Sequence, residues 1–136
     1  MVAAGMLFSA CTAKQAETID FANACKLENE KKYVQVSGYL TDGGSIYCSN
    51  TGGRMECGFD LTETPDAKKG VRVDISQGSG SNSVEKFESS YKKEDIKIHD
   101  NSGGPVKLGE KVKVTGTMNV IPDGSFCFVT VDKIEK

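Results

Sequence analysis

The chain reads as mainly β, a small closed barrel of five strands. One helix is expected between the third and fourth strands and a short one ahead of the first. Three observations lead there. Apolar and polar residues alternate along several short segments, the period of a half-buried strand. Gly52-Gly53 lies between two such segments, a strong two-residue hairpin signal. The pattern Val-x-Val-Ser/Thr-Gly-x-Leu/Met occurs twice, at 34–40 and at 112–118, with glycine at the same inward position. Two sharply coiled strands of one closed sheet would carry that signature.

Composition bounds the function. The chain of 136 residues has room for one domain. Charged residues make up 26% and apolar ones 38%, as in a folded globular protein rather than a disordered one. The net charge of −2 argues against a general polyanion binder, which carries a basic stripe, although a local patch can sit on an acidic protein. After residue 11 no apolar run is long enough to cross a bilayer.

The elements follow in order. Residues 12–30 read as a tether, Thr12 to Glu17, followed by a short helix from Ile19 to about Leu27. Thr18 would cap that helix, with Asp20 in its first turn and Phe21, Ala24 and Cys25 on its buried side. The barrel domain spans 31–136. In its first strand Val34, Val36, Gly38 and Leu40 face inward. Thr41 to Gly44 is a turn or bulge. The hairpin about Gly52-Gly53 puts Ile46, Cys48, Met55, Cys57, Phe59 and Leu61 on one face, and a one-residue slip would bury Glu56 and Asp60 instead. A polar loop leads to the alternation Val71, Val73, Ile75. After the Gly/Ser-rich 77–82, Ser83 would cap a helix carrying Val84, Phe87 and Tyr91 at i, i+3 and i+7. Val112, Val114 and Met118 face inward from the fourth strand, Pro122-Asp123-Gly124 turns the chain, and 125–134 forms the last strand.

Residues 1–11 end in Leu7-Phe8-Ser9-Ala10-Cys11, which resembles a lipobox, the bacterial signal in which the cysteine is acylated. Two departures stand out: Phe8 occupies a position where leucine is preferred, and no Lys or Arg precedes Lys14. The resemblance implies a partial lipoprotein signal peptide and a lipid anchor on Cys11 in the bacterial cell envelope. Acylating Cys11 leaves four of the five cysteines, an even number suited to an oxidising compartment, with three ways to pair them. The hairpin register favours one bridge. Counting outward from Gly52-Gly53 sets Cys48 opposite Cys57 at a non-hydrogen-bonded site, where Cα atoms approach to about 4.5 Å. Cys25 and Cys127 would then be the remaining pair, though nothing local brings them together.

Strand, strand, strand, helix, strand, strand is the order of the OB-fold, a five-stranded Greek-key barrel. The segments KKYVQVSGYL, Cys57-Gly58-Phe59 and LGEKVKVTGTM resemble small bacterial OB-fold proteins of the tRNA-anticodon-binding-like kind, some of them predicted lipoproteins. The likeness covers about Asn29 to Ile134 and rests on structural motifs, so it bears on fold more than on activity.

No catalytic, cofactor or metal constellation is visible. His99 is the only histidine and ends an alternating run, the position of a solvated or turn-capping side chain. Gly78-Ser79-Gly80-Ser81 lacks the lysine of a phosphate loop. The OB resemblance implies a ligand on the face of the second and third strands. Tyr39 and Tyr47 would stack there, and Arg54, Lys68, Lys69 and Arg72 would meet anionic groups. Glu56, Asp60 and Asp74 share that face, with cross-strand pairing of Arg54 or Arg72 to Asp60 as the plainer alternative. The expected function is a non-catalytic binding module for an envelope protein or saccharide; single-stranded nucleic acid is the alternative.

Overall fold

The computed structural model describes residues 15–136, so Cys11 and residues 1–14 lie outside the described part. Strands run β1 (Glu17–Thr18), β2 (Tyr33–Thr41), β3 (Tyr47–Thr51), β4 (Arg54–Thr62), β5 (Val71–Ser76), β6 (Ser83–Val84), β7 (Ile98–His99), β8 (Pro105–Val106), β9 (Lys111–Val120) and β10 (Cys127–Glu135). β2, β9, β10, β5 and β4 pair in that order, and β4 returns to β2 from Tyr39↔Thr62 to Thr41↔Asp60. The sheet therefore closes into a five-stranded barrel. Only β5 and β10 run parallel around the ring; the other neighbours are antiparallel. This connectivity is consistent with an OB-type barrel.

The interior is the one the alternation predicts. Val34, Val36, Leu40, Phe59, Val71, Val73, Ile75, Val112, Val114 and Met118 are all buried. Close strand approach explains the inward glycine of β9: a Cβ on Gly116 would lie 2.0 Å from the Thr130 carbonyl oxygen. β10 carries a bulge between Val131 and Lys133, beside this contact, which lets the strand bend around the barrel.

The hairpin holds the expected register. Thr51↔Arg54, Asn50↔Met55, Ser49↔Glu56 and Cys48↔Cys57 pair across Gly52 and Gly53, whose φ angles of 60° and 86° suit a primed turn. Cys48 and Cys57 are bridged, with Cα atoms 4.0 Å apart. One inward assignment fails. Met55 is exposed, because the last β4–β5 pair is Glu56↔Ser76 and the hairpin continues beyond the end of β5.

Neither expected helix is present; the described residues contain only two 3-10 turns, Leu27–Asn29 and Lys93–Asp95. In the leading segment Thr18 is not a cap but part of β1, which pairs parallel to β2, and the Ile19 N–H donates to the Gln35 carbonyl. Asp20 turns the chain, its carboxylate accepting the Asn23 backbone N–H at 2.9 Å, so an Asx-type turn displaces the helix. Ala24 is still buried, and the Phe21 ring occupies the space a side chain at Gly38 would need. Cys25 is bridged to Cys127 at the start of β10.

The segment between β5 and β9 goes the same way. Val84 pairs with Ile98, and Ile98 with Val106, in a small antiparallel sheet, and all three side chains are buried. Three apolar positions at helical spacing are too few to outweigh β-branched residues that already find partners as strands. Phe87 and Tyr91 still meet, edge to face at 5.3 Å. The Tyr91 hydroxyl accepts the Ile46 N–H at 3.0 Å and donates to Asp42 at 3.4 Å, tying this excursion to the base of the hairpin.

The two bridges differ in the chain they enclose, with sequence separations of 102 for Cys25–Cys127 and 9 for Cys48–Cys57. In the chain-entropy account the long loop contributes about 4–5 kcal/mol and the short one about 2–3 kcal/mol. Urea unfolding should therefore show the double variant Cys25→Ala/Cys127→Ala to be the less stable; a lower midpoint for Cys48→Ala/Cys57→Ala would contradict this.

Candidate functional site

Register places one continuous outer surface across β3, β4, β5 and β10. Tyr47 pairs with Gly58, Gly58 with Asp74 and Asp74 with Thr130. The next row out of the barrel runs Asp60, Arg72, Phe128, Asn119. Glu56 and Arg54 continue β4 toward the hairpin tip. Arg72 is the centre of this surface. Its guanidinium lies flat over the β4 backbone at Gly58, where a Cβ would come within 1.9 Å of it, and its Nε is 3.4 Å from Asp74.

The sequence-predicted residues are not all at this centre. Tyr47 stands on it, 74% exposed, and Arg54 and Arg72 share it. Tyr39 is on β2, opposite Thr62 and Lys111, with the Lys111 ammonium 6.0 Å from its ring centroid. Lys68 and Lys69 are exposed in the loop before β5. Phe128 and Phe126, with ring centroids 6.2 Å apart, were not among the expected ligand residues. The signal was available: once Cys127 is inward, alternation turns both phenylalanines outward.

Carboxylates outnumber guanidiniums here. Burial raises Asp74 above the usual aspartate range and Arg72 partly offsets it. Asp60 is likewise raised by burial, against Arg72, with Asp42 adding to the rise. Burial raises Glu56 too, and the neighbouring Asp74 charge reinforces it. Arg72 is thus engaged with acids on its own surface rather than projecting as a spare cation.

Of the two positions expected for His99, solvated or turn-capping, the structure gives the second, with Glu85 as an added partner. Its Nε2 is 2.8 Å from Glu85, and its Nδ1 is 3.3 Å from the Gly103 carbonyl oxygen. Both ring nitrogens face acceptors, an arrangement only the imidazolium satisfies by donating twice. Its pKa is raised accordingly, first by the Glu85 hydrogen bond and then by that of Gly103. Among the described residues no three His, Cys, Asp or Glu side chains are grouped to hold a metal ion.

No family model, curated protein or solved structure matches this chain. The surface is therefore read from its own chemistry.

Two titrations follow. The single histidine makes His99 directly visible by NMR. Glu85→Gln should move its midpoint down toward about 6.5, the ordinary value. Because the folded pKa is raised, the stability this contact supplies is present below the unfolded value and fades as pH climbs through the folded one; an unshifted His99 in the variant would contradict the pairing. Replacing Arg72 by Ala removes the positive charge that holds Asp74 and Asp60 down, so carboxyl NMR should show both rising further. Raised carboxylates favour the folded state at low pH. The variant should therefore lose more stability than the parent as pH rises from about 4.

Proposed function

We propose that this chain is a non-catalytic binding module of OB type, anchored in the bacterial cell envelope through an acylated Cys11, and that the outer surface of β3, β4, β5 and β10 holds a protein or saccharide partner. The observation that carries the reading is that surface: Tyr47 and Phe128 beside Arg72, with an excess of carboxylates among the half-buried groups. Aromatic side chains on a firm sheet offer contact area at low entropic cost, and paired acids and guanidinium give orientation. An acid-rich surface repels a phosphate backbone, which favours this partner class over nucleic acid. Two disulfides support residence in an oxidising compartment.

Single-stranded nucleic acid is the second reading, favoured by the same exposed aromatics, on which bases could stack. Labelled DNA and RNA strands titrated at low and physiological salt separate the two. The first reading expects no binding that survives physiological salt, and crosslinking in intact cells that is lost in Tyr47→Ala/Arg72→Ala. Salt-resistant strand binding lost in that variant would replace it with the second. The anchor has its own test: cell fractionation should find the parent in membranes and Cys11→Ala released.

A further inference from the structure

The anchor and the fold together orient the domain. β1 runs parallel to β2 with Glu17 opposite Val34, so the chain ahead of Glu17 passes the start of β2, where Lys32 lies 3.4 Å from the Glu17 carboxylate. The end of β9 is there too, since Tyr33 pairs with Thr117 and the Lys31 N–H donates to the Met118 carbonyl. Glu30 accepts the Val120 N–H, and Cys25 is bridged to Cys127. The turn at 25–31 and the loop at 121–126 therefore form one end of the barrel, the end from which the N-terminal segment leaves.

That end is apolar at its surface. Leu27 is 54% exposed, Phe126 44% and Ile121 39%. These are three of the five large exposed apolar side chains among the described residues. Lys26 and Lys31 are exposed around them, together with the carboxylates of Glu28, Glu30 and Asp123, and Lys31 lies 3.6 Å from Glu30. Exposed apolar and aromatic side chains grouped at one end suit the boundary between headgroups and acyl chains, and with acids at least as numerous as lysines here it is apolar contact that would hold it there.

The length of the linking segment decides what covers this surface. Six residue steps separate Cys11 from Glu17, and a chain spans at most about 3.3–3.6 Å per residue, so roughly 20 Å is the limit. With Cys11 acylated, the end of the barrel carrying β1 is held within that distance of the bilayer. We infer that the Leu27–Ile121–Phe126 surface rests on phospholipid, as a second membrane contact beside the acylated cysteine. The inference rests on the acylation proposed above.

The test uses the full chain with its disulfides intact. The two bridges leave Cys11 as the free thiol, which can be coupled to a maleimide phospholipid in phosphatidylcholine–phosphatidylglycerol vesicles. The sequence has no tryptophan, so Leu27→Trp, Phe126→Trp and Tyr47→Trp each give one reporter. Bromine-labelled acyl chains should quench the reporters at 27 and 126 and shift their emission to the blue, while that at 47 stays as in solution. Equal emission at all three positions, or quenching at 47 alone, would overturn the inference. Slower hydrogen exchange over 121–127 on vesicles, measured in the unsubstituted chain, is the matching outcome without a mutation. Chemical coupling bypasses cellular acylation. A missing acyl group on Cys11 in cells therefore overturns the anchor alone, and a flat quenching pattern overturns the lipid-facing surface alone.

Discussion

Within the ring, β2 belongs to two strand pairs at once. Its first part is hydrogen-bonded to β9 and its last residues to β4, and this shared membership turns a sheet into a ring. A strand can serve both neighbours only if it coils sharply, and sharp coiling brings backbones close. The absent side chain at Gly116, the Val131–Lys133 bulge and the Phe21 ring filling the space at Gly38 all accommodate that closeness. The cost of closure is kinetic. β5 must find β10 in parallel across the intervening residues 77–126, a pairing no hairpin can nucleate.

The barrel was legible in the sequence because its strands alternate cleanly and its turns use residues with one plain meaning. Val34–Val36–Leu40 and Val112–Val114–Met118 admit no other buried face, and Gly52-Gly53 fixes a register that Cys48 and Cys57 then lock. The helices were not legible, for a related reason. Val84, Phe87 and Tyr91 match helical spacing only when read alone. Their fate depends on Ile98 and Val106, which lie far along the chain and supply strand partners. The leading segment depends in the same way on Gln35 and Cys127. Periodicity sees neighbours in sequence; these segments are decided by neighbours in space.

The surface around Arg72 was half legible. Alternation put Tyr47, Arg54 and Arg72 outward on neighbouring strands, and the register joins them. It could not show that Gly58 leaves a flat bed for the guanidinium, nor that β10, joined in parallel, brings Phe128 alongside. Both facts belong to pairings between distant segments. Tyr39 shows the converse error: an outward aromatic on the right sheet, but in the sector of Lys111.

The Cys25–Cys127 bridge makes residues 26–126 part of one covalent ring. The exposed loops at 63–70 and 77–82 both lie inside it. A protease that cuts either one opens the ring without releasing a fragment. The cut chain keeps its strands tethered and can re-form the barrel. Such a chain survives a single break as one molecule.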